Sequence, residues 1–333
     1  MNRVMKFGIL GCGMIANIHA DAIGNIEDAE LAGVTDPSEA NSKAFAEKYG
    51  VPVYVDYTAM LNDEDIDIVC ICTPSGFHAD AAIQALKHGK HVVLEKPMAL
   101  TVKDADAVSE MVRESGCFLT VVSQLRFSKD VKKVKKLVEN GVFGKLVFCD
   151  LYMKYWRDPA YYASSSWKGT FKFDGGGALM NQGIHGVDLL LYIAGNAVVT
   201  RGKIKTISHN IEVEDTAIAL LEFENGAIGV IEASTCASPG FKRRIEIIGD
   251  RGYVILQENK IEELMIDGKD INDDMDDDIR VTDSCRDAAA LESDMHELQI
   301  RNLIYAIRGE EPLLVDVTEG RKAVKLIRDI YES

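Results

Sequence analysis

Lys6-Phe7-Gly8-Ile9-Leu10-Gly11-Cys12-Gly13-Met14-Ile15-Ala16, close to the start of this 333-residue chain, decides how the rest is read. The apolar run 7–10 has the pattern of a buried strand and leads straight into Gly11-x-Gly13-x-x-Ala16. A helix-compatible segment follows over 16–23. Strand, glycine turn and helix in that order form the Gly/Ala variant of the dinucleotide-binding fingerprint. Gly11 lets the chain turn sharply out of the strand. Gly13 has no side chain to keep a pyrophosphate from the backbone, and Ala16 lets the helix pack close to the sheet. The helix N-terminus offers free N–H groups and a positive dipole end to phosphates. Cys12, Met14 and Ile15 share that turn, so all five residues from Gly11 to Ile15 are candidate cofactor contacts.

A second apolar run, 30–35, ends in Asp36, twenty residues beyond Ala16. From that position an acid reads the ribose 2′-OH of NAD. Pro37 and Ser38 supply no arginine for a 2′-phosphate, so the sequence favours NAD over NADP.

The chain's length suggests two domains at roughly 150 residues each. Its 47% apolar and 27% charged content is ordinary for a globular protein. With 37 basic and 53 acidic residues the net charge is −16. Such a surface repels nucleic acid and anionic membranes, so neither is an expected partner, while a small anionic substrate needs only a local cationic pocket. Seven scattered cysteines include no Cys-x-x-Cys pair, and no His/Cys spacing suggests zinc, so no metal is expected. No leader-like stretch precedes the first strand and no apolar run reaches about 18 residues, which gives a cytoplasmic, reduced expectation.

The first third alternates strands and helices. Helices are expected at 39–49, 57–61, 77–87 and 103–115, and strands at 31–35, 53–54, 66–72, 91–94 and 118–122. Short connections of this kind imply a doubly wound parallel sheet with ligands at the strands' carboxyl ends. Thr73, Pro74, Ser75, Glu95, Lys96 and Gln124 occupy such ends. The character changes there, giving a division into 1–124, a Rossmann domain, and 125–333, a substrate-binding and oligomerisation domain. A basic amphipathic helix (131–140) and a strand (146–154) open the second part. A loop rich in Tyr and Trp follows, then Gly175-Gly176-Gly177 and an apolar helix over 178–194. Strands at 204–207, 216–223, 227–234, 243–249 and 252–257, separated by short polar turns, suggest an antiparallel meander. Helices at 291–309 and 317–331 end the chain. The acidic run 272–278 reads as a solvated loop, because it lacks the glycine and distal glutamate of a calcium loop.

Two residues stand out chemically. Lys96, at the end of a buried strand beside Glu95 and Pro97, can hydrogen-bond a substrate oxygen and stabilise an alkoxide. His185 can exchange the hydroxyl proton. At α-helical spacing Asn181, His185 and Asp188 share one face of the 178–194 helix.

These residues resemble the Gfo/Idh/MocA family (glucose–fructose oxidoreductase, inositol dehydrogenase, rhizopine catabolism) over essentially the whole chain. The resemblance lies in Gly11-Cys12-Gly13-Met14-Ile15-Ala16, Thr73-Pro74-Ser75-x-x-His78 and Gly89-Lys90-His91-Val92-Val93-Leu94-Glu95-Lys96-Pro97-Met98. It continues in Gly175-Gly176-Gly177-Ala178-Leu179-Met180-Asn181-Gln182-Gly183-Ile184-His185-x-x-Asp188 and Glu319-Gly320-Arg321-Lys322-Ala323. It implies a Rossmann domain followed by an α/β domain with a large open, mixed and mainly antiparallel sheet. It also implies NAD as cofactor, with His78 among its contacts, a sugar or cyclitol substrate, and Lys96 with His185 as the catalytic pair. Many relatives carry Asp where this chain has Asn181, so Asn181 can orient substrate only by hydrogen bonding. Asn181-Gln182 is similar to members that oxidise C3 of nucleotide-linked amino sugars or of glycosides. Arg126, Tyr155, Arg157 and Trp167 are further candidates for substrate contact, with Trp167 expected at the nicotinamide end.

The leading expectation is therefore an NAD-dependent oxidoreductase moving hydride to or from a secondary alcohol carbon of a sugar or cyclitol. The rivals are an NAD-dependent glycosidase working by transient C3 oxidation and a non-catalytic NAD-sensing regulator. An apolar face on the open sheet would make the protein a homodimer or homotetramer.

Overall fold

The computed structural model describes residues 3–271 and 294–333. The acidic run 272–278 lies outside the described residues, as do the first three residues of the helix expected over 291–309. The chain divides into two compact units, Met1–Gln124 with Glu292–Arg321, and Leu125–Leu291 with Lys322–Ser333.

The first unit is built on five parallel strands: β1 (Met5–Leu10), β2 (Ala29–Thr35), β3 (Ile68–Ile71), β4 (His91–Leu94) and β5 (Leu119–Val121), in the order β2-β1-β3-β4-β5. Every residue of β3 is buried, as expected of a central strand covered on both faces. Between the strands run α1 (Met14–Gly24), α2 (Glu39–Tyr49), α3 (Tyr57–Leu61), α4 (His78–Lys87) and α5 (Val102–Ser115). Their ends follow local chemistry. Ser38, Asp56 and Thr101 accept backbone N–H groups in the first turns of α2, α3 and α5, while Gly50 and Gly116 close α2 and α5 in the left-handed region. The strand expected at 53–54 is reduced to a single bridge between Val53 and Val34.

The second unit carries α6 (Lys129–Glu139), β6 (Leu146–Lys154), α7 (Pro159–Ala163) and α8 (Ile184–Ala194). It continues with β7 (Ala197–Lys205), β8 (Thr216–Phe223), β9 (Ile228–Ser234), β10 (Arg244–Gly249), β11 (Gly252–Gln257), β12 (Lys260–Ile266) and β13 (Lys269–Asp270). These eight strands form one open sheet in the order β13-β12-β11-β10-β6-β9-β8-β7. Two antiparallel meanders, β7-β8-β9 and β10 to β13, flank β6, which pairs parallel with β9 and antiparallel with β10. The sheet is thus mixed and mainly antiparallel. β7 starts at Ala197 rather than 204, and β12 and β13 extend the meander beyond the expected strands.

The helix expected over 178–194 is not uniform. Ala178–Gly183 is π-helical, and the α-helix begins only at Ile184. The cause is distant in sequence. The Glu214 carboxylate accepts hydrogen bonds from Gly177 N (2.9 Å) and Leu179 N (2.8 Å), and also from the Tyr331 hydroxyl (2.8 Å). A Cβ on Gly177 would lie 2.0 Å from the Glu214 carbonyl oxygen, so only glycine allows this approach.

Two helices complete the chain, α9 (Asp294–Ile307) and α10 (Val317–Glu332). α9 belongs to the first unit, where Ile300, Leu303 and Ile304 are buried in the same core as Phe7, Ile9, Ala16, Ile23 and Ile68. Among the described residues no helix is long and apolar enough to cross a membrane.

Candidate active site

Because the five strands of the first unit are parallel, their carboxyl ends share one edge. Leu10 pairs with both Thr35 and Ile71, Ile71 with Leu94, and Leu94 with Val121. Gly11, Asp36, Thr73, Glu95, Lys96 and Gln124 follow these strand ends. The chain leaves β1 for β2 on one side and re-enters at β3 on the other, which makes this edge the topological switch point where α/β folds bind ligands.

The local geometry fits a dinucleotide. Gly11 has φ +92°, and a Cβ there would meet the Cys72 carbonyl oxygen at 2.8 Å, whereas a Cβ on Gly13 would find nothing within 4 Å. Gly13 heads α1, and no side chain caps that helix end. Cys12 N donates to Asp36 Oδ2 (2.7 Å) and Ser38 N to Asp36 Oδ1 (2.7 Å), so the acid at the end of β2 is oriented by the fingerprint turn. Burial, with the Asp36 charge, pushes the Cys12 thiol up to about 12, so it stays neutral in this turn. Among the described residues, Thr73 Oγ1 and Gln124 Oε1 are buried without a hydrogen-bond partner. Met14 is exposed while Ile15 packs on the core, and Pro74 and Ser75 lead into a short 3-10 turn before α4.

Two residues at this edge are fixed by hydrogen bonds within the chain. His78 is buried with Nδ1 2.7 Å from the Pro97 carbonyl and Nε2 2.9 Å from the Thr73 carbonyl, so its ring ties the segment after β3 to the segment after β4. Burial lowers its pKa against the pull of those carbonyls. Glu95 is also buried, with Oε1 2.8 Å from His19 Nε2 and Oε2 accepting from Lys96 N at 3.2 Å. Burial alone would raise its pKa. The hydrogen bond to His19, with the charges of His19, His296 and Lys96, outweighs that and holds it at about 2. The carboxylate thereby anchors the backbone at Lys96.

In the second unit the residues around Asn181 form a network. Arg157 Nε donates to Gln182 Oε1 (2.8 Å), Gln182 Nε2 to the Tyr161 hydroxyl (2.9 Å), and Asn181 Nδ2 to Asp174 Oδ1 (2.6 Å). Asp174, not foreseen from sequence, is fully buried and also accepts from Gly169 N at 2.8 Å. The Arg157 guanidinium lies over the rings of Tyr155 and Tyr161, and Lys168 Nζ sits 4.1 Å from the Tyr161 centroid. His185 is half-buried in the first turn of α8.

Three expectations change here, those for Arg126, for the face shared by Asn181, His185 and Asp188, and for Tyr155. Arg126 is not placed for substrate. It is 1% exposed, makes a two-pronged ion pair with Asp188 (2.8 and 2.7 Å), and stacks on Tyr192. Asp188 thus gives both carboxylate oxygens to Arg126, and Asn181, lying in the π-helical turn, is outside the α-helix that carries His185 and Asp188. Tyr155 is buried, 4% exposed, as the support for Arg157. Trp167 is half-buried, and its carbonyl accepts the Thr170 hydroxyl at 2.7 Å.

Residues 5–123 match the Gfo/Idh/MocA oxidoreductase family with NAD-binding Rossmann fold, and residues 131–255 match the GFO/IDH/MocA C-terminal domain. The chain belongs to the Gfo/Idh/MocA family. Myo-inositol 2-dehydrogenase of Thermotoga maritima is 32% identical over 75% of this chain and 74% of its own. D-glucoside 3-dehydrogenase of Escherichia coli is 26% identical over 99% of this chain and 95% of its own. Among solved structures, the WlbA dehydrogenase of Bordetella pertussis, in complex with NADH and UDP-GlcNAcA, superposes with a TM-score of 0.90 at 31% identity. That match covers 100% of this chain and 96% of the other. As a member of the family, the chain is an NAD-dependent oxidoreductase, in agreement with the strand edge just described.

Proposed function

We propose that the protein transfers hydride between NAD and a secondary alcohol carbon of a sugar derivative, with a nucleotide-linked sugar acid as the preferred substrate class and C3 as the carbon oxidised. The observation that carries this reading is the full-length likeness, at 31% identity, to an enzyme solved with NADH and UDP-GlcNAcA. The Asn181-Gln182 pair and the cationic groups Arg157 and Lys168 support it. On a chain of net charge −16 they give an anionic substrate a local reason to dock.

In this reading the backbone from Gly11 to Ile15, Asp36, Thr73, Pro74, Ser75, Gln124 and Trp167 hold the cofactor, which accepts or returns hydride at its nicotinamide ring. Lys96, its backbone anchored by Glu95, hydrogen-bonds the reacting oxygen and stabilises negative charge developing there. His185 takes the hydroxyl proton as hydride leaves the same carbon, and returns it in the reverse direction. Arg157 and Asn181 orient the substrate. The test is NADH formation with UDP-GlcNAcA, D-glucosides and myo-inositol, by wild type and by Lys96→Ala and His185→Asn. Each substitution is expected to lower kcat by about 10²–10⁴-fold. Full activity in both variants would remove the mechanism, and turnover of inositol alone would remove the substrate class.

The second sheet supports homo-oligomer formation. On its outer face Ile218 and Leu220 of β8, Ile228 of β9 and Phe148 of β6 are exposed, and Phe148 pairs with Ile228 across adjacent strands. Light scattering of wild type and Leu220→Lys tests this, with a dimer or tetramer expected for the wild type and a smaller species for the variant.

A further inference from the structure

His209 and Asp215 lie six residues apart in the connection from β7 to β8, and Cys236 follows β9; the donor atoms of the three lie within 4.8 Å of one another. His209 Nε2 is 2.9 Å from the Arg157 carbonyl oxygen. A carbonyl can only accept, so Nε2 carries the hydrogen and the neutral ring presents its Nδ1 lone pair on the other side. That lone pair faces Asp215 Oδ2 at 3.4 Å and Cys236 Sγ at 3.5 Å. The oxygen separation exceeds a good hydrogen bond to nitrogen, while the sulfur one is that of a thiol hydrogen bond, whose proton an incoming cation would displace. They match two edges of a tetrahedron around zinc, since the usual Zn–N, Zn–O and Zn–S lengths place N and O about 3.4 Å apart and N and S about 3.6 Å apart, and the third pair of donor atoms lies within 4.8 Å.

The surroundings agree. A ring that donates its second nitrogen to a backbone carbonyl is in the orientation that metal-ligating histidines adopt. The Asp215 carboxylate is pinned by the backbone N–H groups of Ile207, Ser208 and His209 at 2.8–2.9 Å, and the Tyr162 ring lies against His209 at 4.8 Å. His209 and Asp215 are buried, whereas Cys236 is half-exposed and gives an ion a way in. The other three-residue cluster of ligating types among the described residues, His19, Glu95 and His296, is closed by the 2.8 Å hydrogen bond between His19 and Glu95.

We propose that His209 Nδ1, Asp215 Oδ2 and Cys236 Sγ bind one zinc-class divalent cation, with a fourth position open to water. The imidazole–carboxylate–thiolate set selects a borderline-soft ion over magnesium or calcium. Binding releases one proton, from the Cys236 thiol to solvent. The resulting thiolate and carboxylate then balance the two positive charges, and no oxidation state changes. The ion braces the turn that holds the Arg157 carbonyl, whose side chain reaches Gln182 beside Asn181.

The tag-free full-length chain, stripped with chelator, is titrated with Zn²⁺ by calorimetry in buffers of different protonation enthalpy, and with Co²⁺ by absorbance. One ion per chain, one proton released and a tetrahedral Co²⁺ spectrum with a thiolate charge-transfer band are expected. Cys236→Ser and His209→Gln, checked for unchanged circular dichroism, are expected to bind at least about 100-fold more weakly, the upper end of what loss of a supporting group costs. Wild-type binding no tighter than that of Cys236→Ser, or a Co²⁺ spectrum without the thiolate band, would overturn the site. Should either variant unfold, alkylation of Cys236 in the native wild type, followed by peptide mass, decides instead. Zn²⁺ is expected to slow it at least tenfold, and no protection overturns the proposal.

Discussion

Arg126 and Asp188 meet through two parallel hydrogen bonds, Nε to Oδ2 at 2.8 Å and Nη2 to Oδ1 at 2.7 Å, with both side chains buried. Removing one partner strands the other charge in the interior. Asp188→Ala is therefore expected to lower the unfolding free energy by about 3–5 kcal/mol in urea titrations. Arg126→Lys is expected to destabilise as well, because an ammonium cannot reproduce the planar fork. Lost activity with unchanged unfolding midpoints would return both residues to the chemistry.

Gly11 and Gly13 separate backbone strain from ligand access. At Gly11 the positive φ and the Cys72 carbonyl at 2.8 Å exclude a side chain, so Gly11→Ala should cost stability even without cofactor. At Gly13 a Cβ meets nothing, so Gly13→Val should leave the thermal midpoint of the free chain nearly unchanged. It should weaken NAD about tenfold or more, a loss of at least about 1.4 kcal/mol, because bulk there keeps the pyrophosphate from the turn. Cofactor titration and thermal melts of both variants check the contrast.

Glu95 carries a pH signature. Its pKa falls from 4.5 to about 2 on folding, so the ionised form is the stabilised one. This contribution is complete above the unfolded value near 4.5 and is lost as pH falls through about 2. It amounts to something on the order of 3 kcal/mol. Denaturant unfolding from pH 5 down to 2 should show this decline in the wild type and a flatter profile in Glu95→Gln.

Much of the first unit was legible because its signals are local. The 91–94 strand and the 39–49 helix emerge as read. Gly11 and Asp36 can be placed because a strand end and a tight turn announce themselves in neighbouring residues. The second unit hides more. β12 begins Lys-Ile-Glu-Glu and lacks a continuous apolar run, yet pairing with β11 makes it a strand. The π-helical turn at Ala178–Gly183 is dictated by Glu214, and a helix read only from its own residues cannot register that. Arg126 looked like a substrate ligand because nothing near it in sequence names Asp188 as its partner. Of the proposed ligands, His209 and Asp215 share the connection from β7 to β8, but Cys236 joins them only through the pairing of β8 with β9, which no spacing rule registers.

Glu214 offers a test of that long-range control. Glu214→Ala leaves two buried amides without an acceptor, each at about 1–3 kcal/mol, and takes the carboxylate acceptor from the Tyr331 hydroxyl. The expected outcome is a lower unfolding midpoint together with weaker substrate binding, because Asn181 and His185 lose the anchor of their helix. An unchanged KM in a folded variant would uncouple the two.

The first unit also has a feature that bears on how the protein is made. Its core holds Ile300, Leu303 and Ile304 of α9, almost three hundred residues after β1. A ribosome that has released the five parallel strands has not yet produced the helix that seals them. The nascent nucleotide-binding half must wait, with apolar surface bare, until α9 has emerged. A fragment ending at Gln124 should accordingly clump or recruit chaperones rather than bind NAD.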